Sequence, residues 1–363
     1  MWIYYLSGVT STAVRNIEKV KAMKVLCLWY ATDDEIASIK SALPRGTEVV
    51  APKGDYLSRF DCSYAHTKHL AADADAIIAF SVPDGILDIA KNLKVFSWLH
   101  SGVDDLRMMG ATSLFKERGV KLANIRGANG VAVAEQAMMF VLALAKQTIK
   151  KHNVMRQGDR LFPLYADEHR SGMLHNRTMG LIGVGNIGER IAKHAKGFDM
   201  RVLGIRRNKD KASEYVDEMY GMDDLHSVIA QSDYVVLAAP NTPETDQFWG
   251  QDELDAMKPT AYLINISRGS IVQERPLYDA LKSGRLRGYA SDVWPIYQYG
   301  RSFPIGFLPR LGIHQLPNVI VSDDQAANAD DVLERNIAWG TQNVAQFFSG
   351  EHMVREVNLD LGY

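Results

Sequence analysis

Short apolar runs recur along this chain, each too brief for a helix and each followed by a stretch with helical spacing. Residues 24–29, 76–80, 94–98, 178–184, 201–205, 234–238 and 261–266 are apolar toward both faces and rich in Val, Ile and Leu. Strands of a parallel sheet covered by helices on both sides read this way. The intervening stretches, such as 134–151, 188–196 and 275–286, are of helix length. Alternating strands and helices predict a doubly wound α/β architecture. Toward the end, Val332, Leu333, Ile337, Val344, Phe347 and Phe348 fall at roughly helical spacing within 330–348, which predicts a packing helix.

Composition narrows the class. The 363 residues suffice for about two domains of roughly 150 residues each. Hydrophobic residues at 47% and charged residues at 23% describe a globular chain rather than a disordered one. The 41 basic and 43 acidic side chains leave a net charge of −2, so no global field draws the chain to nucleic acid or an anionic membrane. The longest apolar stretch, 131–145, is interrupted by Glu135 and Gln136 and falls short of the roughly 20 residues a membrane span needs. Two cysteines, Cys27 and Cys62, exclude a disulfide framework and point to a reducing compartment. The opening residues lack the pattern of a signal peptide, so the cytoplasm is the expected location. Because the first strand begins at residue 24, residues 1–22 are a candidate extension outside the compact fold. No metal is expected.

The strongest local signal is Gly183-Val184-Gly185-Asn186-Ile187-Gly188, placed between a strand and the opening of a helix. Gly183 allows a tight turn, Gly185 lets backbone approach a pyrophosphate, and Gly188 lets the helix pack closely on the strand. The helix start then offers unpaired N–H groups and partial positive charge to phosphates. Such a loop binds a dinucleotide. After the next strand, where an acid reads the ribose 2′-hydroxyl of NAD, the chain carries Arg206 and Arg207, with no acid before Asp210. Two guanidinium groups suit a 2′-phosphate, so NADP(H) is expected in preference to NAD(H).

Downstream, Leu263-Ile264-Asn265-Ile266-Ser267-Arg268-Gly269-Ser270, then Gly288-Tyr289-Ala290-Ser291-Asp292-Val293-Trp294, then Leu316-Pro317-Asn318-Val319-Ile320-Val321 occur in that order. With Ala239-Pro240-Asn241-Thr242-Pro243, with Asn129 and Val133-Ala134-Glu135, and with the closing Leu361-Gly362-Tyr363, this order resembles the D-isomer-specific 2-hydroxyacid dehydrogenase family over about residues 24–363. The resemblance implies a Rossmann nucleotide-binding domain, residues 127–322, inserted into a flavodoxin-like substrate domain made of 23–126 and 323–363. It implies a homodimer and a small carboxylate substrate in the cleft between the domains. It assigns Arg268 to the substrate's carboxylate and carbonyl oxygens, a role suited to a permanent planar cation. It assigns the loop of His100, Ser101 and Gly102 to cradling the substrate anion. Pro240, Ile266 and Asp292 join Gly183, Gly185, Asn186, Ile187, Gly188, Arg206 and Arg207 at the cofactor, with Asp292 near the nicotinamide carboxamide.

The chain departs from the family in its acid–base pair. Reduction of a ketone needs a proton as well as a hydride, and the family relays it through a histidine held by an acid. Here Asp324 stands at the histidine's place and Tyr297 at the acid's, with Gln298 beside it. The replacement donors are His100 or Tyr297, followed by Asp324 if burial raises its pKa. Residues 294–304 form an aromatic loop, which suits a larger or flatter substrate. The expected function is an NADP-dependent oxidoreductase acting on a 2-oxo or 2-hydroxy acid with a non-standard proton donor. The alternative is a dinucleotide-binding redox sensor or interaction protein that has lost this chemistry.

Overall fold

The computed structural model describes residues 22–295 and 309–363; Tyr297 and all but the last residue of the candidate extension lie outside them. Two parallel sheets divide the chain. The first is built from β1 (Lys24–Leu28), α1 (Asp33–Ala42), β2 (Glu48–Val50), α2 (Tyr64–Ala71), β3 (Ala76–Ala79), α3 (Ile86–Ile89), β4 (Val95–Trp98), α4 (Asp104–Met108), α5 (Ala111–Arg118) and β5 (Lys121–Ala123). Its strand order is β2-β1-β3-β4-β5, the flavodoxin-like order.

The helices α6 (Gly130–Lys146) and α7 (Thr148–Arg156) lead into the second sheet. It comprises β6 (Thr178–Ile182), α8 (Asn186–Lys196), β7 (Arg201–Ile205), β8 (Glu218–Tyr220), α9 (Leu225–Gln231), β9 (Tyr234–Leu237), α10 (Gln251–Ala256), β10 (Tyr262–Asn265), α11 (Glu274–Ser283), β11 (Gly288–Ser291) and β12 (Val319–Val321). The order β12-β11-β10-β9-β6-β7-β8 reverses direction between β6 and β9, which is the Rossmann switch point. The chain then returns to the first sheet as α12 (Val332–Phe348).

The lack of polar alternation in the strands follows from burial on both faces. In β4, Phe96 and Trp98 join one core with Phe115, while Val95 and the following Leu99 join the core on the opposite face with Trp29, Ile337 and Val344. The helices face the sheets with a stripe, as in α8, where Gly188, Ile191, Ala192 and Ala195 are buried.

One predicted element is corrected. The helix expected over 134–151 is two helices, broken at Gln147, whose φ of 54° is left-handed. The reason is burial: α6 is buried along most of its length, whereas α7 has no buried residue. The three-residue strands β2, β5 and β8 lacked any apolar run long enough to be read, and each exposes its first residue. Among the described residues, no helix is long and apolar enough to cross a membrane.

The return of α12 is fastened by polar groups inside the first core. Ser97 Oγ donates to the Gly340 carbonyl at 2.9 Å, and Asn343 Nδ2 donates to Ser97 Oγ at 3.1 Å and to the Asn124 carbonyl at 2.9 Å. Asn343 and Ser97 are fully buried, so removing the amide strands the Asn124 carbonyl away from water. Asn343→Ala is expected to cost this part of the fold about 2–3 kcal/mol, read as a lower urea midpoint.

Candidate active site

In a parallel sheet all strands end at the same edge, so the loops after them gather there. The loops after β3, β4, β10, β11 and β12 meet around a cleft of about 390 Å³. Phe80, His100, Ser101, Asp104, Asp105, Arg268, Asp292, Trp294 and Asp324 all line it. Sequence positions far apart thus converge because two carboxyl edges face each other.

Arg268 follows β10, and its loop is set by Asn265. Asn265 Oδ1 accepts the Ser267 N–H at 3.0 Å, and its Nδ2 donates to the Arg268 carbonyl at 3.0 Å. The guanidinium reaches across to α4, where Nε donates to both oxygens of Asp104 at 3.0 and 3.1 Å. Nη1 donates to the Ser267 carbonyl at 3.0 Å, which leaves Nη2 without a hydrogen bond among the described residues. Asp104, above all, raises the pKa of Arg268 against the opposing effect of burial, with Asp105 and Asp324 adding to it. The approach is so close that a Cβ on Gly102 would stand 2.2 Å from Nη2 and 2.6 Å from Asp104 Oδ1. A side chain here would have to displace that ion pair.

The loop of His100, Ser101 and Gly102 has its carbonyls tied down. Asn124 Nδ2 donates to the Ser101 carbonyl at 2.8 Å, Ile125 N donates to that of His100 at 3.3 Å, and Ser101 Oγ donates to Asn129 at 2.9 Å. The amides of Ser101 and Gly102 make no hydrogen bond among the described residues, which leaves two donors beside a cation. His100 is placed differently from a proton carrier. Its Nε2 lies 2.8 Å from the Phe80 carbonyl and must therefore carry the hydrogen. Burial pushes its pKa down to about 4, so the ring is neutral at pH 7.

The acids of the cleft behave otherwise. Asp292, at the end of β11, accepts from Ser322 Oγ, from Gln325 N at 3.1 Å and from Ala326 N at 2.9 Å. Its own carbonyl takes the Asp324 N–H at 2.7 Å, so Asp292 holds the whole loop after β12. Asp324 sits in that loop at φ 55°. Burial raises its pKa and nearby Arg268 opposes the rise. Asp105, which was not singled out in the sequence, is 5% exposed and is pushed up to about 7, first by burial and then by the charge of Asp104. No hydrogen bond holds its carboxyl among the described residues. Two successive acids at a helix start, just after the glycine of an anion loop, were the available signal. Among the described residues no group of His, Cys, Asp and Glu could hold a metal ion.

The glycine-rich turn fits a dinucleotide. Gly183 has φ 105°, and a Cβ there would lie 2.5 Å from Ala239 N; a Cβ on Gly188 would lie 2.2 Å from the Gly183 carbonyl oxygen. Gly185, by contrast, has nothing within 4 Å of its Cβ position, so the helix start is open to an incoming phosphate. Pro240 and Ile266 stand just beyond β9 and β10. The side chains of Asn186 and Ile187 turn back onto Gly127 and Gly130. Arg206 is drawn toward the Lys211 carbonyl, at 3.2 Å from Nη1, and Arg207 lies against Tyr363.

Comparison with known proteins agrees with this architecture. Residues 138–322 match the NAD-binding domain of D-isomer specific 2-hydroxyacid dehydrogenases. A glyoxylate reductase of Thermococcus gammatolerans is 33% identical over 232 residues, 61% of this chain and 67% of that one. A D-3-phosphoglycerate dehydrogenase of Methanocaldococcus jannaschii is 29% identical over 294 residues; the match covers 79% of this chain and spans about half, 52%, of that protein. The fold is shared with the NADPH-dependent glyoxylate/hydroxypyruvate reductase of Sinorhizobium meliloti, solved with NADP and malonate. That match has TM-score 0.72 and 22% identity, and covers 94% of this chain and 98% of that one.

Gly102→Ala is expected to displace the guanidinium of Arg268 while leaving the nucleotide turn untouched. Turnover should fall by roughly tenfold or more with dinucleotide affinity unchanged, read by steady-state kinetics beside a cofactor titration.

Proposed function

The chain belongs to the D-isomer-specific 2-hydroxyacid dehydrogenase family, NAD(P)-dependent oxidoreductases acting on CH–OH groups, and from that premise we propose that it reduces a small 2-oxo acid, prefers NADP(H), and uses Asp105 as its proton donor. The observation that carries the reading is Arg268, anchored through Nε on Asp104 with Nη2 left for a ligand. A planar cation so held takes a carboxylate oxygen and the adjacent carbonyl oxygen together, and it stabilises the negative charge that grows on the carbonyl as it is reduced. The amides of Ser101 and Gly102 hold the remaining carboxylate oxygen. When bound, the dihydronicotinamide supplies the hydride. The open helix start at Gly185 and the pair Arg206 and Arg207 support the dinucleotide and its 2′-phosphate.

The proton donor follows from the charges around Arg268. Asp104, Asp105, Asp292, Asp323 and Asp324 line the cleft with it. An anionic substrate entering among so many acids favours the protonated form of the least stabilised one. Asp104 is ion-paired and Asp292 accepts three hydrogen bonds. Asp105 has neither kind of support and is already held near neutrality. His100 has its N–H on the Phe80 carbonyl, which leaves it as a wall of the anion loop. Asp324 is the comparison residue: burial raises its pKa, and Arg268 offsets that rise by favouring the carboxylate.

NADPH consumption against a panel of 2-oxo acids tests the reading, with Arg268→Ala expected to lower turnover by about 10²–10³. Reduction needs Asp105 protonated, so kcat/KM should hold below pH 7 and decline above it, while the reverse oxidation should rise with pH. Asp105→Asn should lower kcat by roughly 10²–10⁴ and erase that limb, whereas Asp324→Asn should keep it. Tight NADPH binding without turnover of any substrate would favour the sensor reading instead.

A second copy of the chain is the proposed partner. The segment beyond α7 exposes Phe162 at 80%, Leu164 at 72% and Tyr165 at 88%, and α7, which precedes it in the chain, exposes Met155 and Ile149. Large apolar side chains gathered in one surface segment mark an interaction site. Replacing Phe162 and Tyr165 with Ser should convert a dimer to monomer in sedimentation, with the fold retained by circular dichroism.

A further inference from the structure

After α12 the chain stays with the first sheet. Asn124 N donates to the Arg355 carbonyl at 3.2 Å and Val357 N to the Leu122 carbonyl at 2.8 Å, so this segment runs beside β5. The last residues then fold on Asn358. Its Oδ1 accepts the N–H groups of Asp360 and Leu361 at 2.9 and 3.1 Å, and its carbonyl accepts that of Gly362 at 2.9 Å. Asn358 N donates to the Tyr363 carbonyl at 3.1 Å, and Lys116 of α5 pairs with Asp360. The turn is therefore rooted in the first body at several points.

From that root Tyr363 crosses to the second body. Its ring lies 5.1 Å from Cζ of Arg207, and its hydroxyl accepts a hydrogen bond from Arg207 Nη1. Arg207 stands two residues past the end of β7 and directly after Arg206, in the turn where the adenosine ribose of a dinucleotide is read. We propose that Tyr363 is a positioning residue for recognition of the cofactor's 2′-phosphate, holding the Arg207 guanidinium ready across the seam between the two bodies. This rests on the NADP(H) reading above.

The geometry explains why a tyrosine serves. An exposed arginine samples many rotamers, and fixing it costs binding free energy each time a phosphate arrives. The aromatic face orients the guanidinium plane, and the hydroxyl occupies one N–H on one corner. A guanidinium has five N–H donors, so the opposite edge still offers a fork for two phosphate oxygens. Arg206 is engaged elsewhere, its Nη1 donating to the Lys211 carbonyl and lying 4.0 Å from the Glu189 carboxylate. Because Tyr363 belongs to the first body, the complete 2′-phosphate site exists only when both bodies hold this relative position.

The test is calorimetric binding of 2′,5′-ADP and 5′-AMP to the full chain, independent of turnover. Arg207→Ala should weaken 2′,5′-ADP by about tenfold or more and leave 5′-AMP unchanged. Tyr363→Ala should weaken 2′,5′-ADP by about five- to twentyfold with 5′-AMP within about twofold, and Tyr363→Phe should fall between. Thermal melts establish that each variant is folded. If Arg207→Ala discriminates and Tyr363→Ala leaves 2′,5′-ADP unchanged, or weakens both ligands equally, the role of Tyr363 is overturned while the NADP(H) reading stands. If Arg207→Ala affects neither ligand selectively, the NADP(H) reading fails and this inference fails with it.

Discussion

A half-buried guanidinium needs partners to hold it in one place, and Arg268 finds them by reaching from one sheet to the other. Its Nε rests on Asp104 of the first body, while its Nη1 stays with its own loop. Removing Arg268 would leave the buried Asp104 carboxylate without its ion partner, a costly state. The arrangement therefore has to be built whole. Asn265 sets the arginine's loop, Gly102 clears the space beside it, and α4 begins where Asp104 can meet it. The cleft, its anion loop and its acid cluster all take their positions from that crossing.

The same pair bears on the proposed proton donor. Burial pushes the Asp105 carboxyl toward the neutral form, and the charge of Asp104 beside it pushes it further. The proposed donor is therefore a carboxyl brought near neutrality by its surroundings, as happens to a buried acid beside a like charge. The loop after β12, which carries Asp324, is held firmly by three hydrogen bonds to Asp292.

Both sheets put their chemistry at their carboxyl edges. The first sheet supplies the anion loop after β4, and the second supplies the phosphate turn after β6 together with Arg268 after β10. Parallel strands make this unavoidable, because every crossover returns the chain to the same edge. The return of α12 and the crossing of Tyr363 to Arg207 then tie the end of the chain to both bodies.

Much of this was legible in the sequence. The seven apolar runs are all strands, because a strand buried on both faces needs apolar residues at successive positions whatever its neighbours. The glycine spacing marked the phosphate turn, because the φ of Gly183 and the contact at Gly188 are backbone demands. Arg268 was marked by the ordered motifs around it. The break at Gln147 was hidden, because it depends on where burial of α6 ends. The partnership of Asp104 with Arg268, 164 residues apart, was hidden too, as were the near-neutral acidity of Asp105 and the loss of His100 to a carbonyl. Local sequence encodes which residues are buried and which backbone angles are allowed. The charge state of an acid or imidazole is decided by dielectric and by neighbours, and only the folded chain brings those neighbours together.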